Sequence, residues 1–132
     1  MSKTTDLTKK PVIAITGDAP PILGVTDLVP GAGPEAKPGD KLSMQYVGVA
    51  FSTKKEFDAS WNSGQPFEFT LGIGKVIQGW DQGLVGMKVG GRRQLVIPPG
   101  LGYGPAGSPP VVGPNETLVF VVDLVSVNGQ TR

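Results

Sequence analysis

Cysteine and histidine are both absent from the 132-residue sequence. Without cysteine the chain has no disulfide, thiol nucleophile or thiol redox chemistry, and without histidine it has no imidazole acid–base catalyst. The common zinc sites depend on the same two residue types and are excluded with them. Most familiar enzyme mechanisms are therefore ruled out, and we expect neither a metal site nor a cofactor.

The sequence also has no large excess of either charge and no long apolar run. The formal net charge is +1 and the basic residues are scattered apart from three adjacent pairs, so nucleic acid would find no basic stripe. No apolar run approaches the roughly 18 residues of a membrane span, and residues 1–10 lack the apolar centre of a signal peptide. We expect a soluble cytoplasmic protein that binds neither nucleic acid nor membranes; an exported protein without its signal would show the same pattern.

The length of the chain suits one ordinary hydrophobic core. We expect a flexible tail at residues 1–10 and a single domain at 11–132, with its core at 25–128. Short apolar segments alternate with 20 glycines and 13 prolines, which is typical of a turn-rich β protein. Because no coiled-coil pattern or partner helix is present, we expect a monomer.

Strict alternation of apolar and polar residues predicts the strands. In residues 42–48, Leu42, Met44 and Tyr46 fall on one face, which is the pattern of a half-buried strand. The segment 117–127 is apolar on both faces and is therefore predicted to be central in the sheet. Further strands are predicted at 11–15 (an edge strand), 25–29, 67–71 and 92–97.

One segment, residues 76–84, has helical periodicity. Its apolar residues Ile77, Trp80 and Leu84 form a single stripe, and its two glycines, Gly79 and Gly83, indicate that its backbone lies close against the sheet. The predicted fold class is α+β, an antiparallel sheet with one short helix.

Six aromatic residues lie on different predicted elements. Taken singly, each is more commonly a core residue, yet as a set they are candidates for the lining of one cavity, and composition leaves both interpretations open. They are Tyr46, Phe57, Phe67, Trp80, Tyr103 and Phe120.

From about residue 25 to residue 127 the sequence closely resembles the FKBP-type peptidyl-prolyl cis/trans isomerases. Six segments carry the resemblance, and they occur in the order typical of the family. They are QYVG at 45–48, KEFDAS at 55–60, PFEFTLG at 66–72, VIQGWDQGL at 76–84, GRRQLVIPPGLGYGPAG at 91–107 and TLVFVVDLVSV at 117–127.

The resemblance implies a twisted antiparallel half-barrel wrapped around the short helix, with a hydrophobic pocket between them and Trp80 as its floor. Its matching positions imply catalytic roles for Asp58, Tyr103, Phe120 and Tyr46. They imply substrate-binding roles for Phe57, Phe67, Val76, Ile77, Trp80, Val111 and Val112.

The implied activity is rotation about X-Pro peptide bonds in polypeptides, with rapamycin-like macrolides as inhibitors. Rotation breaks no bond but faces an amide-resonance barrier of about 18–20 kcal/mol, so a dry aromatic cage that fits the twisted amide would accelerate it. The backbone N–H of Ile77 and the hydroxyl of Tyr103 would hold substrate carbonyls. Asp58 would orient or stabilise electrostatically, since no proton is transferred.

Two further segments have competing interpretations. Arg92 and Arg93 point to opposite faces of a strand, so they cannot readily form one anion clamp, and we expect them on solvated sheet surface. The Gly- and Pro-rich segment 100–114 lacks the phosphate-loop pattern, and we interpret it as a mobile flap with Val111 and Val112 at its apolar tip.

The sequence also departs from the family. Ser63 stands where relatives often carry a basic residue that pairs with the pocket aspartate, Ser108 stands where relatives can have a histidine, and Trp61 and Pro110 are local variants. Two alternative functions stay open: a binding module of the same fold with little turnover, and a purely structural interaction domain.

Overall fold

The computed structural model describes residues 10–13, 15, 17–108 and 112–131. In these residues the chain forms six strands and one α-helix, together with two single 3-10 turns, Ser60–Asn62 and Pro99–Leu101. No helix in this part of the chain is long and apolar enough to cross a membrane. The elements are β1 (Gly24–Val29), β2 (Lys41–Ala50), β3 (Glu56–Ala59), β4 (Phe67–Thr70), α1 (Gln78–Gly83), β5 (Arg92–Ile97) and β6 (Leu118–Val127).

All six strands join one antiparallel sheet in the order β1-β5-β6-β2-β3, and β4 also pairs with β2. The prediction of a central strand at 117–127 is confirmed, because β6 lies between β5 and β2 and is buried along nearly all of its length. Its apolar residues on both faces are what a strand covered on both sides requires.

β2 carries Tyr46 and has two short partner strands on one edge. On its outer edge it pairs with β4 through residues 41–44 and with β3 through residues 47–49. Between these two short partners, Ser60 Oγ accepts the backbone N–H of Tyr46 at 2.7 Å and donates to the side chain of Gln45 at 2.6 Å. A side-chain hydroxyl thus replaces a missing strand at this point, so the buried backbone of β2 keeps a partner.

The helix packs on the inner, concave face of the sheet, as its two glycines predicted. A Cβ atom on Gly79 would come within 2.6 Å of the Ile97 side chain, and one on Gly83 within 2.8 Å of Leu95. Helix and sheet therefore approach more closely than any larger residue would allow. The helix itself, at Gln78–Gly83, is shorter than the predicted 76–84, with Ile77 and Leu84 as its caps.

The predicted edge strand at 11–15 is wrong for the residues described there, none of which is in a strand. Pro11 has no N–H to contribute to a ladder. Ile13 and Ile15 instead pack as irregular chain on the outer face of the sheet. The buried residues beneath them are Val47, Val49 and Ala59. Residues 1–9 of the predicted tail lie outside the described residues.

The expectation that Arg92 and Arg93 lie on solvated surface is also wrong, because both are buried. They do point to opposite faces: Arg92 donates to both carboxylate oxygens of Asp123 on β6, at 2.6 and 2.8 Å. Arg93 donates to Asp27 on β1 at 2.7 Å and to the carbonyl of Gly83 at the end of α1 at 2.9 Å. The sequence could not show this burial, since each carboxylate partner lies far away along the chain, on a strand that becomes a neighbour of β5 only in the folded sheet.

Candidate functional site

A cavity of about 480 Å³ opens between the concave face of the sheet, the helix and the loops at one end of the fold. Residues from seven separate elements or loops converge on it. Its lining consists of Tyr46, Asp58, Phe67, Gly74, Lys75, Val76, Ile77, Trp80, Tyr103 and Phe120. A second recess of about 570 Å³, at residues 29–33, has neither aromatic nor charged side chains in its described lining. The first cavity is therefore the candidate site.

Trp80 is the centre of the aromatic lining. Its ring lies 4.9 Å from that of Tyr46, 5.1 Å from Phe120 and 5.9 Å from Phe67, all centroid to centroid and all edge-to-face. This is the favoured arrangement of aromatic pairs, and it fixes the ring orientations of the cage. Trp80 and Phe120 are 6% and 2% exposed, so the cage is rigid and mostly dry at its base.

Glycine makes room for this cage on β2. A Cβ atom at Gly48 would come within 2.7 Å of the Phe120 ring and 2.8 Å of the Phe57 ring. Phe57 does not line the cavity but packs edge-to-face against Phe120 from behind, with 5.6 Å between centroids. Phe57 was predicted to form part of the cavity wall; in the structure it instead packs against the wall residue Phe120 and supports it.

Tyr46 and Asp58 are joined by the register of β2 and β3. Gly48 is directly opposite Asp58, so Tyr46, two residues along β2, lies on the same face as the aspartate. The Tyr46 hydroxyl donates to Oδ2 of Asp58 at 2.6 Å. This short charge-assisted hydrogen bond fixes the carboxylate in the cavity wall.

Both tyrosines of the site have a raised pKa, so they keep their protons to a higher pH than an ordinary tyrosine does. Burial, and then the hydrogen bond to Asp58, raise the pKa of Tyr46 well above its ordinary value. Burial, and then the charge of Asp58, raise the pKa of Tyr103 as well. At neutral pH both phenols are therefore hydrogen-bond donors.

The rim beside the helix carries a backbone donor. Ile77 caps the start of α1 with φ −59° and ψ 149°, and in the described part of the chain no oxygen accepts its N–H. Asp81, on the first turns of α1, accepts the N–H of Gly72 at 2.8 Å and of Gly74 at 3.0 Å. The loop that leads to Ile77 is therefore anchored to the helix that carries Trp80.

Eight of the eleven predicted site residues line the cavity, and Phe57 lies directly behind it. Val112 does not: it is 1% exposed and belongs to the hydrophobic core, because reciprocal backbone hydrogen bonds with Ser108 turn it inward. Val111 and Pro110 lie outside the described residues. Two lining residues, Gly74 and Lys75, were not predicted, since nothing in their type distinguishes them from an ordinary loop.

The family departures noted in the sequence do not disturb the carboxylate. Ser63 donates to the carbonyl of Ser60 at 2.9 Å and makes no contact with Asp58, whose partner is Tyr46. Trp61 packs against the outer face of the sheet. In the described residues no group of three or more acidic side chains could hold a metal ion.

Comparison with known proteins gives the class that this fold and cavity define. Residues 33–125 match the family described as FKBP-type peptidyl-prolyl cis-trans isomerase, and the chain belongs to that family.

The chain is 54% identical to an FK506-binding protein from Streptomyces anulatus over 121 residues, which are 90% of this chain and 98% of that protein. A relative from Corynebacterium glutamicum is 50% identical over 120 residues, covering 89% of this chain and 98% of its own. Among solved structures, AtFKBP13 superposes with a TM-score of 0.74 at 38% identity, over 79% of this chain and 91% of its own. The half-barrel fold predicted from the sequence is confirmed.

Proposed function

We propose that this protein catalyses cis/trans isomerisation of X-Pro peptide bonds in polypeptides, and that the cavity around Trp80 is where it does so. The observation that carries the proposal is the packing of Tyr46, Phe67 and Phe120 around Trp80, at centroid distances of 4.9 to 5.9 Å. A proline ring matches such a cage in size and polarity. Membership of the FKBP family supports the same activity.

The proposed mechanism is preferential binding of the twisted amide. Resonance holds the X-Pro amide planar, and water stabilises the charge separation that resonance creates. Moving the bond into an apolar cage removes that stabilisation, so the planar states lose more than the twisted state, in which resonance is broken. No nucleophile or proton transfer is needed, which is consistent with a chain that lacks cysteine and histidine.

Three polar groups would orient the substrate. The N–H of Ile77 and the hydroxyl of Tyr103 would each donate to a backbone carbonyl that flanks the proline. The carboxylate of Asp58, held by Tyr46, would face the carbonyl carbon of the rotating amide. A bulky apolar residue before the proline would complete the fit, because Phe67 is 39% and Tyr103 41% exposed at the mouth of the cage.

A second candidate function is ligand binding with little turnover. It is favoured by the name of the Streptomyces relative, which records binding of FK506 and not catalysis. We propose that this chain also binds such macrolides, as competitors for the same cavity. The alternative differs from the main proposal in one respect only, the absence of acceleration.

The experiment is catalysed relaxation of a Leu-Pro peptide from cis to trans, whose spontaneous rate is tens to hundreds of seconds. We compare the wild type with Phe120→Ala and Asp58→Ala, and use Trp61→Phe as a folded control that alters an aromatic residue outside the cavity. Acceleration by the wild type and the control, with most of it lost in the two cavity variants, supports catalysis here. Macrolide binding without acceleration by the wild type would instead support the binding module.

A further inference from the structure

Lys75 is the one basic residue that lines the cavity in the described part of the chain, and Asp58 is its one acidic residue. The two charges differ in setting. Both residues are exposed, but Asp58 accepts a hydrogen bond from the Tyr46 hydroxyl. Within the described residues no carboxylate lies within 4 Å of the Lys75 ammonium group. Its charge is therefore available to a ligand.

The backbone under Lys75 is held in place. Its neighbour Gly74 donates its N–H to Oδ2 of Asp81, and Gly72 donates to Oδ1 of the same carboxylate. Asp81 follows Trp80 directly in α1. The backbone beside Lys75 is thus anchored, through Asp81, next to Trp80, and the Lys75 side chain lies at the mouth of the cavity.

Two acidic residues on elements beside the cavity, Asp81 and Glu68, are engaged with partners other than Lys75. Both oxygens of Asp81 are taken by the amides of the rim, on the inner side of the loop. Glu68, on β4, is paired with Lys41 at 3.5 Å. A polypeptide that places its proline over Trp80 must pass the rim, where one of its neighbouring side chains comes within reach of the ammonium group.

We propose that Lys75 is a specificity-determining residue, and that this protein prefers X-Pro substrates with a glutamate or aspartate directly after the proline, because the position before it takes a bulky apolar residue. The inference rests on the proposed isomerase function and names the substrate class of the same cavity. An exposed ion pair of this kind changes a rate constant or an affinity by about two- to fivefold. Salt weakens it, because the screening length falls from about 10 Å at 0.1 M to about 3 Å at 1 M.

The test uses matched Leu-Pro peptides that carry glutamate, glutamine or lysine directly after the proline. For the wild type at low salt we expect kcat/KM to fall in the order Glu, Gln, Lys, by about two- to fivefold per step. Lys75→Glu should reverse that order and Lys75→Gln should level it. Lys88→Glu is the control, because it makes the same change in net charge at an exposed site outside this cavity.

Three outcomes decide the inference. Reversal by Lys75→Glu, unchanged order in Lys88→Glu and loss of the preference at 1 M salt support it. An order that Lys75→Glu leaves unchanged, while the wild type accelerates isomerisation, overturns this inference and leaves the proposed function intact. If the wild type accelerates none of the peptides, the proposed function fails and the inference fails with it.

Discussion

The hydroxyl of Tyr46 lies 2.6 Å from Oδ2 of Asp58 and joins the aromatic cage to the carboxylate in its wall. The contact follows from the pairing of Gly48 with Asp58 across β2 and β3, which puts the two side chains on one face. Ser60 supports it from below by accepting the backbone N–H of Tyr46 at 2.7 Å. One carboxylate is thus oriented by a tyrosine whose own backbone is fixed.

Loss of this contact should reduce catalysis without abolishing it. Tyr46→Phe and Asp58→Ala are each expected to lower kcat/KM about tenfold, since a hydrogen bond to a charged group contributes about 1.5–3 kcal/mol and each 1.4 kcal/mol is a factor of ten. The double variant should lose little more than either single one, because the same bond is removed in each. Losses that multiply in the double variant would show that the two residues act independently.

The pH profile should be flat. The pKa values of Tyr46 and Tyr103 are both raised, so each phenol keeps its proton to a higher pH than the ordinary value of about 10. With no histidine or cysteine in the chain, these residue types contribute no titration between about pH 6 and about pH 9. We expect kcat/KM for an uncharged peptide to change by less than about twofold across this range. A bell-shaped profile would mean that a proton transfer contributes to the rate.

The two tryptophans should report differently on ligand binding. Trp80 forms the floor of the cavity, whereas Trp61 packs on the outer face of the sheet. An FK506-like macrolide should change the tryptophan emission of the wild type and of Trp61→Phe by similar amounts. Trp80→Phe should lose most of the change, and persistence of the full change in that variant would place the ligand elsewhere.

The buried pair of Arg92 and Asp123 predicts an asymmetric effect on stability. Arg92→Leu leaves a carboxylate in a buried site whose desolvation already raises the pKa of Asp123 against the opposing effect of Arg92. We expect a loss of about 3–5 kcal/mol in the free energy of unfolding, measured by urea denaturation. Adding Asp123→Leu should restore at least half of that loss, because the unpaired charge is then gone. A double variant as unstable as the sum of both single ones would refute this explanation.

The alternating pattern of the sequence was enough to predict most of the sheet. The strands predicted near 25–29, 42–48, 67–71, 92–97 and 117–127 all occur. They could be predicted because the buried face or faces of a strand hold apolar residues at regular positions. Strand β3 was missed: its four residues EFDA include two acids and are too few to show a period. Its existence depends on pairing with β2, which is a long-range contact.

The candidate site was also predicted only in part. The resemblance found its aromatic residues, whose types and spacings recur in the family. It did not find Lys75, which enters the lining because Asp81 draws the loop before α1 toward the helix. It misplaced Val112, which is buried in the core and is joined to Ser108 by two backbone hydrogen bonds. Contacts between loops are not recorded in local residue patterns, so these features required the structure.

Isomerisation in the cavity around Trp80 is tested most directly by titrating that activity with a macrolide. A fixed concentration of the protein, well above the dissociation constant, is titrated with an FK506-like compound while Leu-Pro isomerisation and tryptophan emission are followed together. We predict that the acceleration disappears in proportion to occupancy and is lost at one macrolide per chain. Acceleration that persists after the emission change is complete would contradict the account, because catalysis would then occur outside the cavity.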